Sequence, residues 1–211
     1  MPISDQTITH LAAIMGLLSP LIGLIGVWIG HDLSTRHERK REAGERVALA
    51  ECFFGEIWGK ARLVAILGAA ANRLVVSKSH DELGVMQLNL PTLPLPLFAA
   101  MAPELGKLDT ATRTQVLSFY TTLNSAVSHT KSASAELGSD QFRQRRWSDL
   151  CSVWRLAAAT TQDALVALAN RNIGKTPKHE IEQLKKMLLV LRGVAGGDVS
   201  DPDTLADKLP V

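Results

Sequence analysis

Between Leu11 and Gly30 the chain carries no formal charge, and over the next sixteen residues come Arg36, Arg39, Lys40, Arg41 and Arg46. This junction constrains the fold more than any other feature. As a helix rising about 1.5 Å per residue, an uncharged run of that length spans roughly 30 Å, the thickness of a bilayer's hydrocarbon core. A core helix in a globular domain seldom stays apolar on every side for so long. A secretory signal peptide needs a basic start, a shorter apolar core and a small-residue cleavage site. Here MPISDQTITH contains no lysine or arginine, and the run ends in GHDLSTRHERKR. The reading is a single transmembrane helix over 11–30, with a short extracytoplasmic N-terminus over 1–10 and a basic juxtamembrane segment over 31–46.

The asymmetry of charge gives a direction. Cationic residues collect on the cytoplasmic side of a spanning helix, so the remaining chain is expected inside and the N-terminus outside. Trp28 falls near the basic end, where an indole keeps its ring in hydrocarbon and its N–H among headgroups. The cations there are also placed to meet anionic lipid, although Glu38, Glu42 and Glu45 dilute the patch. His31 and His37 lie within this basic segment.

The anchor carries a second pattern. Ala12, Gly16, Ser19, Gly23, Gly26 and Gly30 recur at spacings of three and four, which places six small side chains on one helical stripe. Inside lipid there is no hydrophobic drive between helices, so close backbone approach over such a stripe favours association. The expectation is self-association through this face, with the bilayer and a second copy as partners. Pro20 removes one backbone bond, which Ser19 is placed to compensate.

Past the basic segment, periodicity is helical throughout. Phe53, Ile57, Ala61, Val64, Leu67, Ala71 and Leu74 form one seam. Val116, Phe119, Leu123, Ala126, Thr130, Ala133 and Leu137 form a second, after an N-cap at Asp109. Trp147, Leu150, Trp154, Ala157, Thr161, Ala164 and Leu168 form a third, after Gly138-Ser139-Asp140. Ile181, Leu184, Leu188 and Leu191 form a fourth, opened by Thr176 as N-cap and Pro177 at the first helical position. The fold class is therefore all-α: one transmembrane helix, then a mostly antiparallel bundle of about four helices over 47–192. The proline-rich interval 77–96 reads as a surface loop, with a short helix around Phe98–Leu105. Residues 193–211 read as a flexible tail with one short helix, Pro202–Lys208.

The segment APELGKLDTATRTQVLSFYTTLN, with Pro103-Glu104-Leu105, Val116, Phe119-Tyr120 and Leu123, resembles a stretch recurring in uncharacterised bacterial single-pass membrane proteins. Those proteins pair a short N-terminal anchor and basic stretch with a helical cytosolic domain. The likeness covers about residues 8–137. It implies a bacterial inner membrane and no particular activity.

Chemistry is harder to find. The net charge of +2 is too small for a duplex-binding face, and no nucleic-acid partner is expected. His10, His31, His37, His80, His129 and His179 form no metal-ligand spacing, and neither HExxH, GxxxxGK[ST], GxGxxG nor GxSxG occurs. No catalytic, cofactor or metal site and no small-molecule substrate is expected. Cys52 and Cys151 read as small buried hydrophobes. Asn124 and Thr161 lie among apolar positions, where an internal hydrogen bond is the ordinary outcome. Arg143, Arg145 and Arg146, before Trp147, are the densest cations beyond the juxtamembrane run; they form a candidate docking patch for an unidentified protein partner, set against a solvated helix face. The sequence thus points to a membrane-tethered interaction or scaffold module, with a signalling component and a cryptic enzyme as alternatives.

Overall fold

The computed structural model describes residues 5–77, 86, 90, 96–135, 140–170 and 178–197, with side chains described from 31 on except 77, 96, 97, 134, 135, 140–144 and 178. Among the described residues every regular element is a helix, and there are no strands. Helix α1 covers Asp5–Ser77, α2 Pro96–Met101, α3 Thr110–Ala135, α4 Asp140–Ala169 and α5 Lys178–Ala195, and a 3₁₀ turn, Ala102–Lys107, follows α2. The chain divides into two compact units at Glu45/Arg46.

The described residues of the first unit lie within α1. Residues 11–30, with the stripe Ala12, Gly16, Ser19, Gly23, Gly26 and Gly30 and with Trp28, are helical, but their side chains fall outside those described. Among the described residues, no helix is long and apolar enough to cross a membrane.

The second unit is a helical bundle with one continuous core. Every residue of the seam Phe53 to Leu74 is buried, as are all seven positions from Trp147 to Leu168 and the run from Val116 to Thr130. Ala133 is partly buried; Leu137 lies outside the described residues. Burying large side chains of this kind contributes roughly 1.5–3 kcal/mol each. Asp109 caps α3 as its position suggests: its Oδ1 accepts from the Thr112 N–H at 3.0 Å, and its carbonyl accepts from the Arg113 N–H at 2.9 Å.

Helix α5 departs from the expected seam. Met187, Leu191 and Val194 are buried, whereas Ile181, Leu184 and Leu188 are only partly so. The core-facing stripe is rotated toward Met187, and the helix runs to Ala195 rather than ending at 192. It closes with Gly197 at φ +94°, a conformation L-residues resist, whose N–H bonds the Val194 carbonyl at 3.0 Å. Thr176, Pro177 and the expected tail helix lie outside the described residues.

The topology also differs from a simple up-and-down bundle. The Thr122 and Thr160 hydroxyls meet at 2.6 Å, and Trp154 Nε1 donates to Thr130 Oγ1 at 3.0 Å, so α3 and α4 are antiparallel. Tyr120 of α3 bonds Glu56 of α1, while Asn72, further along α1, reaches Cys151 and Arg155 at the level of Thr130. Helices α1 and α3 therefore run the same way, and α4 runs against both. The rule that joins neighbours antiparallel holds for short loops. Here residues 78–95 offer a reach of up to about 60 Å at 3.3 Å per residue, enough to return along a 26-residue helix of about 39 Å. Nor does this connection stay at the surface: Met86 (0% exposed) and Leu90 (8%) belong to the core.

Candidate functional site

The most concentrated polar chemistry in the bundle centres on Asn72, which is 1% exposed. Its Oδ1 accepts from Arg155 Nε at 2.8 Å and from the Cys151 thiol at 3.0 Å, and its Nδ2 donates to the Val194 carbonyl at 3.0 Å. The amide orientation is forced, because an arginine Nε can only donate and a carbonyl can only accept. One side chain thereby ties α1 to α4 and α5. Beside it, Gly68 admits Val194 so closely that an added Cβ would lie 2.5 Å from Val194 Cγ1, and the Arg155 guanidinium lies under Gly197. A cation at that position faces the carbonyl end of α5, where the helix dipole favours it. Burial pushes the Cys151 thiol up from its ordinary value, with Arg155 opposing the shift.

A second polar contact lies in an aromatic cluster. Tyr120 donates to Glu56, packs edge-on to Phe53 and Phe119, and stacks on Phe98 with ring centroids 4.0 Å apart. Burial, then the hydrogen bond to Glu56 and its charge, push the Tyr120 hydroxyl far above its usual range. The pair fixes α1 against α3 and α2 against both. Among the described residues every buried side-chain polar atom has a hydrogen-bond partner, so the interior carries satisfied structural polar groups. An open depression of about 730 Å³ lies between the start of α3 and the end of α4, with Asp109, Gln115, Gln162, Asp163 and Asn170 in its lining. Among the described residues no group of histidine, cysteine or acidic side chains is arranged to hold a metal ion.

The residues singled out by sequence fall into three sets. Arg36 pairs with Asp32 at 2.8 Å and Arg41 with Glu45 at 3.1 Å, both exposed i,i+4 contacts, while Arg39, Lys40 and Arg46 are exposed on the same helix. Arg145 is exposed and Arg146 half-buried with a partner of its own, while Trp147 turns into the core; the Arg143 side chain lies outside those described. Thr161 is buried and donates to the Ala157 carbonyl at 2.6 Å.

Two expectations need correction. Asn124 is exposed, because its register on α3 falls one position past Leu123, off the buried seam. Cys52 is exposed rather than buried, since it lies beside Phe53 but on the outer side of α1. The Asn72 node was not found by sequence, where a single asparagine among alanines and leucines has no spacing to mark it.

No family, no curated protein and no solved structure matches this chain.

Proposed function

We propose that the protein is a membrane-tethered helical module of the bacterial plasma membrane, held by one spanning helix over residues 11–30, with its bundle on the cytoplasmic side. The observation that carries this reading is the uncharged run from Leu11 to Gly30 followed by Arg36, Arg39, Lys40, Arg41 and Arg46, against no cation before it. The stripe Ala12, Gly16, Ser19, Gly23, Gly26 and Gly30 supports pairing of anchors. The bundle then acts as an interaction or scaffold surface, since packed helices present faces to partners without any catalytic group. Reporter fusions at Val211 test the orientation: a cytoplasmic reporter is active and a periplasmic one silent. The opposite pattern overturns it. Crosslinking between anchors falls when Gly23 and Gly26 become isoleucine, and unchanged crosslinking removes the stripe as an interface.

A signalling role is the second reading. It is favoured by one helix, α1, spanning Asp5–Ser77 and so contributing to both units. A state change at the anchor would be read in the bundle as altered hydrogen-exchange protection around Asn72.

A further inference from the structure

Helix α5 has the smallest share of the core among the long helices, and that share is concentrated toward its C-terminal end. Helix α1 sends Phe53, Ile57, Leu67 and Leu74 into the core among others, whereas α5 buries Met187, Leu191 and Val194. Between 179 and 186 no side chain is buried. The polar ties of α5 seen among the described residues also fall in its last turn and just past it: Asn72 Nδ2 donates to the Val194 carbonyl at 3.0 Å, and the Arg155 guanidinium lies against Gly197. When the segment 187–197 lifts, nothing buried remains to hold 179–186. Most of a helix's stability comes from the face it packs, so a lifted α5 gives up its amides to exchange.

We propose that α5 is a lid on the bundle, that the Asn72 carboxamide is its catch, and that it opens as one unit while α1, α3 and α4 stay packed. The carboxamide suits this role because its two ends serve different helices. Its Oδ1 is occupied by Arg155 and Cys151 of α4, which fixes the amide so that Nδ2 faces the Val194 carbonyl of α5. A rotation or shift of α1 that draws Asn72 away removes that donor from α5, and elements with few buried contacts are the ones that open first. Gly68 lies one turn before Asn72 on the same face of α1 and lets Val194 seat closely against it, so catch and seat belong to one helix. Every residue of the device lies in the second unit, so the lid and the tether are tested separately.

Hydrogen exchange of the full-length chain in detergent micelles, at neutral pH and at urea concentrations below the unfolding transition, is followed by mass spectrometry. Corrected for intrinsic rates, the amides of 187–195 exchange at least about tenfold faster than the interior amides of α3 and α4, with a weaker urea dependence, as a sub-global opening requires. Equal rates with equal urea dependence overturn the lid. So does fast exchange confined to 178–186 with 187–195 as protected as α4, which is fraying. Asn72→Asp keeps an acceptor for Arg155 and Cys151 but sets an oxygen against the Val194 carbonyl; it raises the α5 rate at least about tenfold and leaves α3 and α4 as they were. An equal rise in α4 overturns the role of Asn72 as catch. The opposite variant locks the lid. A Cβ at 68 would stand 3.9 Å from Val194 Cβ, a separation that a disulfide spans. Gly68→Cys with Val194→Cys, in a Cys52→Ser/Cys151→Ser background, brings the α5 rate down to that of α4 when oxidised and releases it on reduction. Oxidised and reduced forms that exchange alike also overturn the lid.

Discussion

Replacing Gly68 by alanine tests the junction of α1 with α5. The new methyl would sit 2.5 Å from Val194 Cγ1, about an ångström inside ordinary carbon contact. Val194 cannot swing away cheaply, because a β-branched residue in a helix has one strongly preferred rotamer. Overpacking of this kind costs about 1–3 kcal/mol, offset by about 1 kcal/mol of helix propensity gained on losing a glycine. The net expectation for Gly68→Ala is a loss of up to about 2 kcal/mol. Val194→Ala alone leaves a void and loses roughly 2 kcal/mol, since two buried methyl-sized groups disappear. In the Val194→Ala background the same alanine at 68 meets no obstacle and fills part of that void, so there Gly68→Ala is stabilising. Urea unfolding followed by tryptophan fluorescence gives all four corners of the cycle. The coupling should be at least about 1 kcal/mol, within the range seen for residues in contact. If Gly68→Ala has the same effect with valine or alanine at 194, the two helices do not meet at this point and the argument fails.

Tyr120 is the single tyrosine, so its ionisation is read directly from absorbance near 295 nm. Its hydroxyl is held above the ordinary value, so the folded state keeps the proton while the unfolded chain gives it up near pH 10. That contribution to stability is intact below about pH 10 and is lost as pH rises further, at about 1.4 kcal/mol per pH unit. Tyr120→Phe removes this alkaline loss; a native absorbance titration near pH 10 would refute the burial. The two cysteines should separate in thiol labelling: Cys52 reacts promptly, Cys151 only with denaturant, and Cys52→Ser removes the fast phase. Two equally fast thiols would show the Asn72 node to be open. Asn72→Leu strands the Arg155 and Cys151 donors and one acceptor site on Val194, and should cost about 2–4 kcal/mol in denaturant unfolding, since unmet buried polar groups cost about 1–3 kcal/mol each. A change below about 0.5 kcal/mol, the size typical of surface substitutions, would mean that the node is solvated.

Periodicity made three of the four seams legible because Phe53, Val116, Trp147 and their successors repeat at helical spacing with large side chains, and burial follows that pattern directly. It misread α5, where KKMLLVLRGVA offers apolar residues on nearly every side and only packing chooses Met187 and Val194 over Ile181 and Leu188. Topology was illegible for a different reason. A long connection does not specify direction, and the burial of Met86 and Leu90 depends on where the chain passes, not on local pattern. Asn72 was invisible because its value comes from three partners distant in sequence: Cys151, Arg155 and Val194. The cations Arg36, Arg39, Lys40, Arg41 and Arg46, by contrast, announce themselves by composition alone.

Alkaline carbonate extraction of membranes containing the full-length chain tests the tether most directly. A spanning helix over 11–30 keeps the protein in the pellet with the bilayer, because burial in hydrocarbon does not depend on charge. Release of the protein into the supernatant would contradict the account, leaving electrostatic attachment through Arg36, Arg39, Lys40, Arg41 and Arg46 as the most that the sequence supports.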